Sequence, residues 1–175
     1  ASFFRASPTA LINLSPRHID SWATLGRSLF RGTWKSSSLA ARFFDSSPDL
    51  MTNLTYRDLE LFAGLVEVLS HRSYDLAAEC LHLGQRVLPT IKERQELISL
   101  ASTLAEQSWR EVRGCFESAS KINSSVHARQ RGKYIILTEQ LAKQGLANIS
   151  GFILETTQAL ANIPAEDHVT ILTKA

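Results

Sequence analysis

Residues 60–81 read ELFAGLVEVLSHRSYDLAAECL, and the reading of this stretch decides the fold. Phe62, Leu65 and Leu69 stand at i, i+3 and i+7, which places three apolar side chains on one stripe of an α-helix. A short polar joint, His71-Arg72-Ser73, interrupts the pattern. Helical spacing then resumes with Leu76, Cys80, Leu83 and Val87. Two amphipathic helices separated by a three-residue joint make an αα-hairpin.

The same unit recurs along the chain. With Trp34, Tyr74, Trp109 and Leu146 in one column, Leu29, Leu69, Leu104 and Leu141 align upstream of them, then Leu25, Leu65, Leu100 and Leu137, then Trp22, Phe62, Leu97 and Tyr134. Downstream, Phe43-Phe44, Cys80-Leu81, Cys115-Phe116 and Phe152-Ile153 form a further column. From Trp22 to Phe62 is 40 residues, to Leu97 a further 35, to Tyr134 a further 37. Self-similarity at such a period is the signature of stacked helical hairpins, each unable to bury its apolar face alone. The second helix of each copy carries its own stripe: Val112, Cys115, Ala119 and Ile122 in one, Ile149, Ile153, Thr156 and Leu160 in the last.

The expected fold is therefore all-α, a HEAT-like α-solenoid with a right-handed superhelix. It comprises a half repeat at 1–14, repeats at 15–54, 55–89, 90–123 and 124–164, and a tail at 165–175, all in one domain. Phe3-Phe4 read as the end of a hairpin whose first helix is missing, because FFRASP at 3–8 repeats as FFDSSP at 43–48. The expectation is a fragment of a longer protein. Hydroxyl N-caps are expected to open the first helix of each copy: Ser15 before Pro16, then Thr55, Thr90, and Ser124 or Ser125. This also accounts for Asn13, Asn53 and Asn123, whose Asn-x-Ser/Thr sequons coincide with helix starts.

Composition narrows the function classes. The 175 residues suffice to bury roughly 70% of the surface of the unfolded chain. Nineteen Lys+Arg against seventeen Asp+Glu give a net charge of +2, too even for a strong nucleic-acid or anionic-lipid footprint. No apolar run approaches the roughly 20 residues of a membrane span, and the N-terminus lacks the layout of a signal peptide, so a cytoplasmic location is expected. Two cysteines, Cys80 and Cys115, share one repeat position and are expected to be buried free thiols. Cys80 and His82 lie two residues apart, on different helical faces, and so do not predict a shared metal.

None of the G-x-S-x-G, Walker, G-x-G-x-x-G or H-E-x-x-H motifs occurs, and no residue is assigned a catalytic, cofactor-binding or metal-binding role. The reading is a non-catalytic scaffold that binds a protein partner. The residues expected to meet it are Arg42, Tyr74, Arg86, Trp109, Arg110, Arg113 and Glu117, charges on the second helices and aromatics that follow a serine at the hairpin joint. The competing reading is a HEAT-like nucleic-acid module. It would use Arg27, Arg31, Lys35 and Arg42 around the first joint and His127, Arg129, Arg131 and Lys133 near the last hairpin. Interleaved Asp75, Glu79, Glu111 and Glu117, placed on the row expected to line the inner face, weigh against it.

Two family resemblances bear on this. Trp22, Leu25, Gly26 and Leu29 match the opening of the tetratricopeptide pattern, but its Leu-Gly pair is absent from the other copies. Phe43, Phe44, Ser47, Pro48, Leu50, Leu54, Leu59, Phe62, Leu65, Leu69, Ser73, Tyr74 and Ala77 resemble the helical repeats ahead of the von Willebrand A domain in bacterial nitric-oxide-reductase activation proteins and rubisco-activase adaptors. The third and fourth copies depart from that layout, ending in KINSS and NIP. The resemblance implies an adaptor that couples a MoxR-type AAA+ ATPase to a client enzyme. The metal-binding DxSxS motif of the adjoining domain is not present at Asp45-Ser46-Ser47-Pro48-Asp49.

Overall fold

The computed structural model describes residues 54–164, together with Pro16, Ile19, Asp20 and Ala23. The half repeat, nearly all of the first copy, both Ser-Pro corners and the tail lie outside the described residues. So do the Ser15 cap and Arg42. Among the described residues the chain is all-α. Its helices are α1 (Tyr56–Arg72), α2 (Tyr74–Val87), α3 (Arg94–Gln107), α4 (Glu111–Ser125), α5 (Arg131–Lys143) and α6 (Ile149–Ala161), with a 3-10 turn at Leu88–Thr90. The chain divides into two compact units, Ala1–Thr90 and Ile91–Ala175.

In the first unit, α1 opens on a reciprocal cap. Thr55 Oγ1 accepts from the Asp58 amide at 3.2 Å, and Asp58 Oδ2 accepts from the Thr55 amide at 3.1 Å, which satisfies two amides that the helix itself cannot. The inner side of α1 is Leu59, Phe62, Ala63, Leu65, Val66 and Leu69, all buried. The joint to α2 is a single residue. Ser73, in extended conformation, donates its amide to Leu69 O and accepts from the Leu76 amide on Oγ, so it closes one helix and opens the next.

Helix α2 buries Leu76, Ala77, Cys80, Leu81 and Gly84, whereas Leu83 and Val87 of the expected stripe are only half-buried. The cause is the close approach of α1 and α2 at Gly84, where a Cβ would run into the ring of fully buried Phe62. That ring turns the buried arc of α2 toward Ala77, Leu81 and Gly84.

In the second unit the expected columns are again buried in α3 and α4. Leu97, Ile98, Leu100, Ala101, Leu104 and Ala105 face inward from α3, and Val112, Cys115, Phe116, Ala119 and Ile122 from α4. The expected hydroxyl caps are not used. Thr90 lies in the 3-10 turn and donates back to Val87 O at 2.7 Å, and Ser124 donates back to Lys121 O at 3.1 Å. Each hydroxyl serves the helix before it, so α3 begins after Glu93 and α5 after Gln130 with no side-chain cap. Arg131 instead closes α4, donating to Val126 O at 2.9 Å and Asn123 O at 2.5 Å. At α6, Asn148 adopts a left-handed conformation and its Oδ1 accepts from the Gly151 amide at 3.0 Å, a cap that occupies the fourth sequon asparagine.

Helix α3 lies along both α4 and α5, and α4 lies along α6, while α5 and α6 touch only sparsely. The α3–α5 seam is polar: Glu139 Oε1 accepts from Ser99 Oγ at 3.1 Å, Thr103 Oγ1 at 3.2 Å and Lys143 Nζ at 2.6 Å. The α4–α6 seam is centred on Glu111, whose Oε2 accepts from the Ser150 amide at 3.1 Å and the Ser150 hydroxyl at 2.7 Å. Gly114 lets that serine close in.

This arrangement changes the register expected for the last hairpin. Helix α5 buries Tyr134, Ile135, Thr138 and Ala142, and Leu137 and Leu141 are half-buried. In α6 Thr157 replaces Thr156 in the buried set, and the Thr156 hydroxyl bridges to Tyr134 Oη at 2.5 Å. With Glu139 anchored on α3 and little contact to α6, the buried arc of α5 turns toward its neighbour α3.

Gly84→Ala places a methyl against an immobile ring, and overpacking of this kind costs about 1–3 kcal/mol. Gly64 sits on the exposed side of α1 with open space around it, so Gly64→Ala is expected to stabilise by about 0.5–1 kcal/mol through helix propensity alone. Urea unfolding of the two variants, followed by circular dichroism, is expected to move the midpoint in opposite directions.

Candidate functional site

Six of the seven residues singled out for partner contact fall among the described ones. In the first unit Tyr74 opens α2 and is half-buried, and Arg86 is exposed in the last turn of the same helix, where a cation complements the helix dipole. In the second unit the remaining four converge on α4. Trp109 and Arg110 form the turn into it, held by the Glu111 amide donating to Ser108 O at 2.8 Å. Trp109 is half-buried. Arg110 is exposed, with its guanidinium carbon 4.8 Å from the indole centroid, a cation–π stack that fixes the fork and leaves its edge to solvent.

One turn further, Arg113 Nε donates to Glu117 Oε1 at 2.8 Å. Both side chains are about half exposed, at 54% and 48%, so solvent screens the pair and it contributes about 0.3–0.5 kcal/mol. Lys121 continues the same exposed side of α4. The spacing 110, 113, 117, 121 keeps these groups on one face, opposite buried Val112, Phe116 and Ala119.

Two residues on or beside this face were not legible beforehand. Leu154 of α6 is 42% exposed. Ser150 touches Glu111, so the starts of α4 and α6 lie side by side, and Leu154 stands one turn beyond that contact. Its signal in the sequence is an apolar residue off the Ile149, Ile153, Leu160 stripe. Glu111, expected with Asp75, Glu79 and Glu117 on the row lining the inner face, is half-buried and committed to Ser150. Asp75 and Glu79 of that row are exposed.

The basic stretch near the last hairpin is broken up by the fold. His127, Arg129 and Lys133 are exposed, but Arg131 is turned inward onto the end of α4. Cys80 is buried while His82 of the same helix is exposed, and among the described residues no group of three His, Cys, Asp or Glu side chains is placed to hold a metal ion. The face on α4 thus offers a stacked guanidinium, an ion pair and a free-standing ammonium, and α6 offers an exposed leucine.

Both cysteines are buried free thiols. Burial, and secondly the nearby Glu111 carboxylate, pushes the Cys115 thiol up from 9.0 to about 12. Burial likewise raises Tyr134 from 10.0 to about 12, against the hydrogen bonds with Thr156 and Thr138 that favour its ionised form. Compared with known protein families, curated proteins and solved structures, the chain matches none. No described helix is long and apolar enough to cross a membrane.

A raised thiol pKa means that the folded state holds its proton more tightly than the unfolded chain. The contribution of this thiol to stability is fully present below pH 9 and is lost as pH rises from 9.0 toward about 12, where the unfolded thiol ionises and the folded one does not. A disulfide reagent at pH 8 is expected to label Cys115 only at the rate at which the unit opens. Labelling as fast as that of a free thiol peptide would overturn the assignment.

Proposed function

We propose that this chain is a non-catalytic interaction scaffold, an α-solenoid segment whose exposed second-helix face recognises a protein partner. The observation that carries the reading is the stacking in the second unit. First helix lies on first helix (α3 on α5) and second helix on second helix (α4 on α6), and each stack is closed by a carboxylate bonded to serine or threonine hydroxyls. Growth by one hairpin at a time, each laid on the last in the same sense, is how solenoids extend. It leaves a row of second-helix side chains exposed along one side, and Arg110, Arg113 and Glu117 belong to that row. The resemblance to the helical repeats of the nitric-oxide-reductase activation and rubisco-activase adaptors supplies the kind of partner: a MoxR-type AAA+ ATPase or the enzyme it remodels. The nucleic-acid reading is weaker, since Arg131 is withdrawn from its basic stretch.

The test uses the full chain, immobilised, against nuclease-treated lysate of its native source at physiological salt. Retention of an AAA+ ATPase or its client, abolished by Arg110→Glu combined with Arg113→Glu, is the expected result. Retention of DNA or RNA alone, vanishing after nuclease, would replace the scaffold with the nucleic-acid module.

A further inference from the structure

The exposed face of α4 carries an uneven charge pattern. Arg113 and Glu117 neutralise each other. Arg110 and Lys121 make no ion pair among the described residues, and both are exposed. They lie on nearly the same line of the helix, eleven residues or three turns apart, a rise of about 16 Å. On α6, whose start is joined to that of α4 through Ser150 and Glu111, Leu154 is 42% exposed one turn further on. The face is therefore two unpaired cations flanking a neutral pair, with an apolar knob alongside.

We infer that this face binds an acidic amphipathic helix of a protein partner, lying along α4 with two carboxylates about three turns apart and a large apolar residue between them set against Leu154. The inference rests on the scaffold reading and sharpens it by naming the partner's chemistry. Arg110 is the stronger of the two contacts. Stacking on Trp109 has already fixed its planar fork, so less side-chain entropy is lost when a carboxylate takes both donors. Lys121 supplies a flexible point charge at the other end. A nucleic-acid backbone fits less well, because Glu117 stands in the middle of the track and Leu154 offers a phosphate nothing. Matched charges at the rim of an apolar contact act mainly on encounter rate and specificity, which suits a scaffold that must choose among helical partners.

The experiment is fluorescence anisotropy on the full chain with three labelled probes. One is an alanine-based helical peptide carrying two glutamates three turns apart with leucines between them. The second is the same peptide with lysines in place of the glutamates, and the third is a duplex DNA oligonucleotide. The expected result is binding of the glutamate peptide, weakening with salt, and at least about ten-fold weaker in Arg110→Ala combined with Lys121→Ala. Leu154→Asp is expected to abolish it as well, and Arg57→Ala, at an exposed cation of α1, to leave it unchanged. All substituted side chains are exposed, and far-UV circular dichroism checks that each variant keeps its helices. Equal binding of the two peptides, no binding of either, indifference to the Arg110 and Lys121 changes, or preference for DNA would each overturn the inference. A protein captured from lysate through Arg110 and Arg113 while the glutamate peptide stays silent would leave the scaffold standing and remove only the acidic-helix partner.

Discussion

Helices of 13 to 17 residues are marginal in water by themselves and depend on burying an apolar arc against neighbours. Everything described in the second unit follows from how that need is met. Helix α3 is covered by α4 on one side and α5 on another, so its six apolar residues are all buried. Helix α5 has α3 but little of α6, and its leucines at 137 and 141 remain half-buried as a result. Burial of a leucine contributes roughly 1.5–3 kcal/mol, so a difference of one neighbour is large on the scale of a domain's net stability.

Apolar burial is non-directional and does not by itself fix how one helix sits on the next. The two polar seams do. Glu139 accepts from Ser99 and Thr103, and Glu111 from both the amide and the hydroxyl of Ser150. Hydrogen bonds to a charged acceptor are worth more than neutral ones and are lost if the helices slide by a turn. Gly114 is part of the same device, because the serine closes onto the helix only where there is no side chain. The carboxylate at 111 also lies near enough to Cys115 to help keep that thiol protonated, which ties an inert cysteine to the same seam.

The legible part of this architecture was the part written in apolar spacing. The columns through Phe62 and Leu97, Leu65 and Leu100, and Leu69 and Leu104 are buried as read, and so are Cys80-Leu81 and Cys115-Phe116. Caps were legible only in part, because the capping-box spacing does not by itself decide which helix a hydroxyl serves. Thr55 has Asp58 three residues on and forms the reciprocal box, whereas Thr90, with Glu93 at the same spacing, donates back to Val87 O and Ser124 donates back to Lys121 O. The seams were not legible, because Glu139, Ser99 and Thr103 look like any solvated helix face until two helices are laid together. For the same reason Glu111 was grouped with Asp75, Glu79 and Glu117. The exposed face of α4 was legible as a set of charges, but Lys121 and Leu154 join it through the helical line and the lateral neighbour, neither of which a single stripe contains.

The face and the core differ in kind, and the difference bears on what the chain can do. Among the described residues, Cys115 and Tyr134 are buried in the core, where a raised pKa records desolvation. The groups that solvent reaches on α4 include a stacked arginine, a screened ion pair and a lysine, and on α6 a leucine. Under the proposed scaffold reading, it is the exposed cations of α4, held at fixed distances by the helix, that would meet a partner. On that reading specificity would reside in the spacing that α4 imposes, since a turn more or less between Arg110 and Lys121 would demand a different partner.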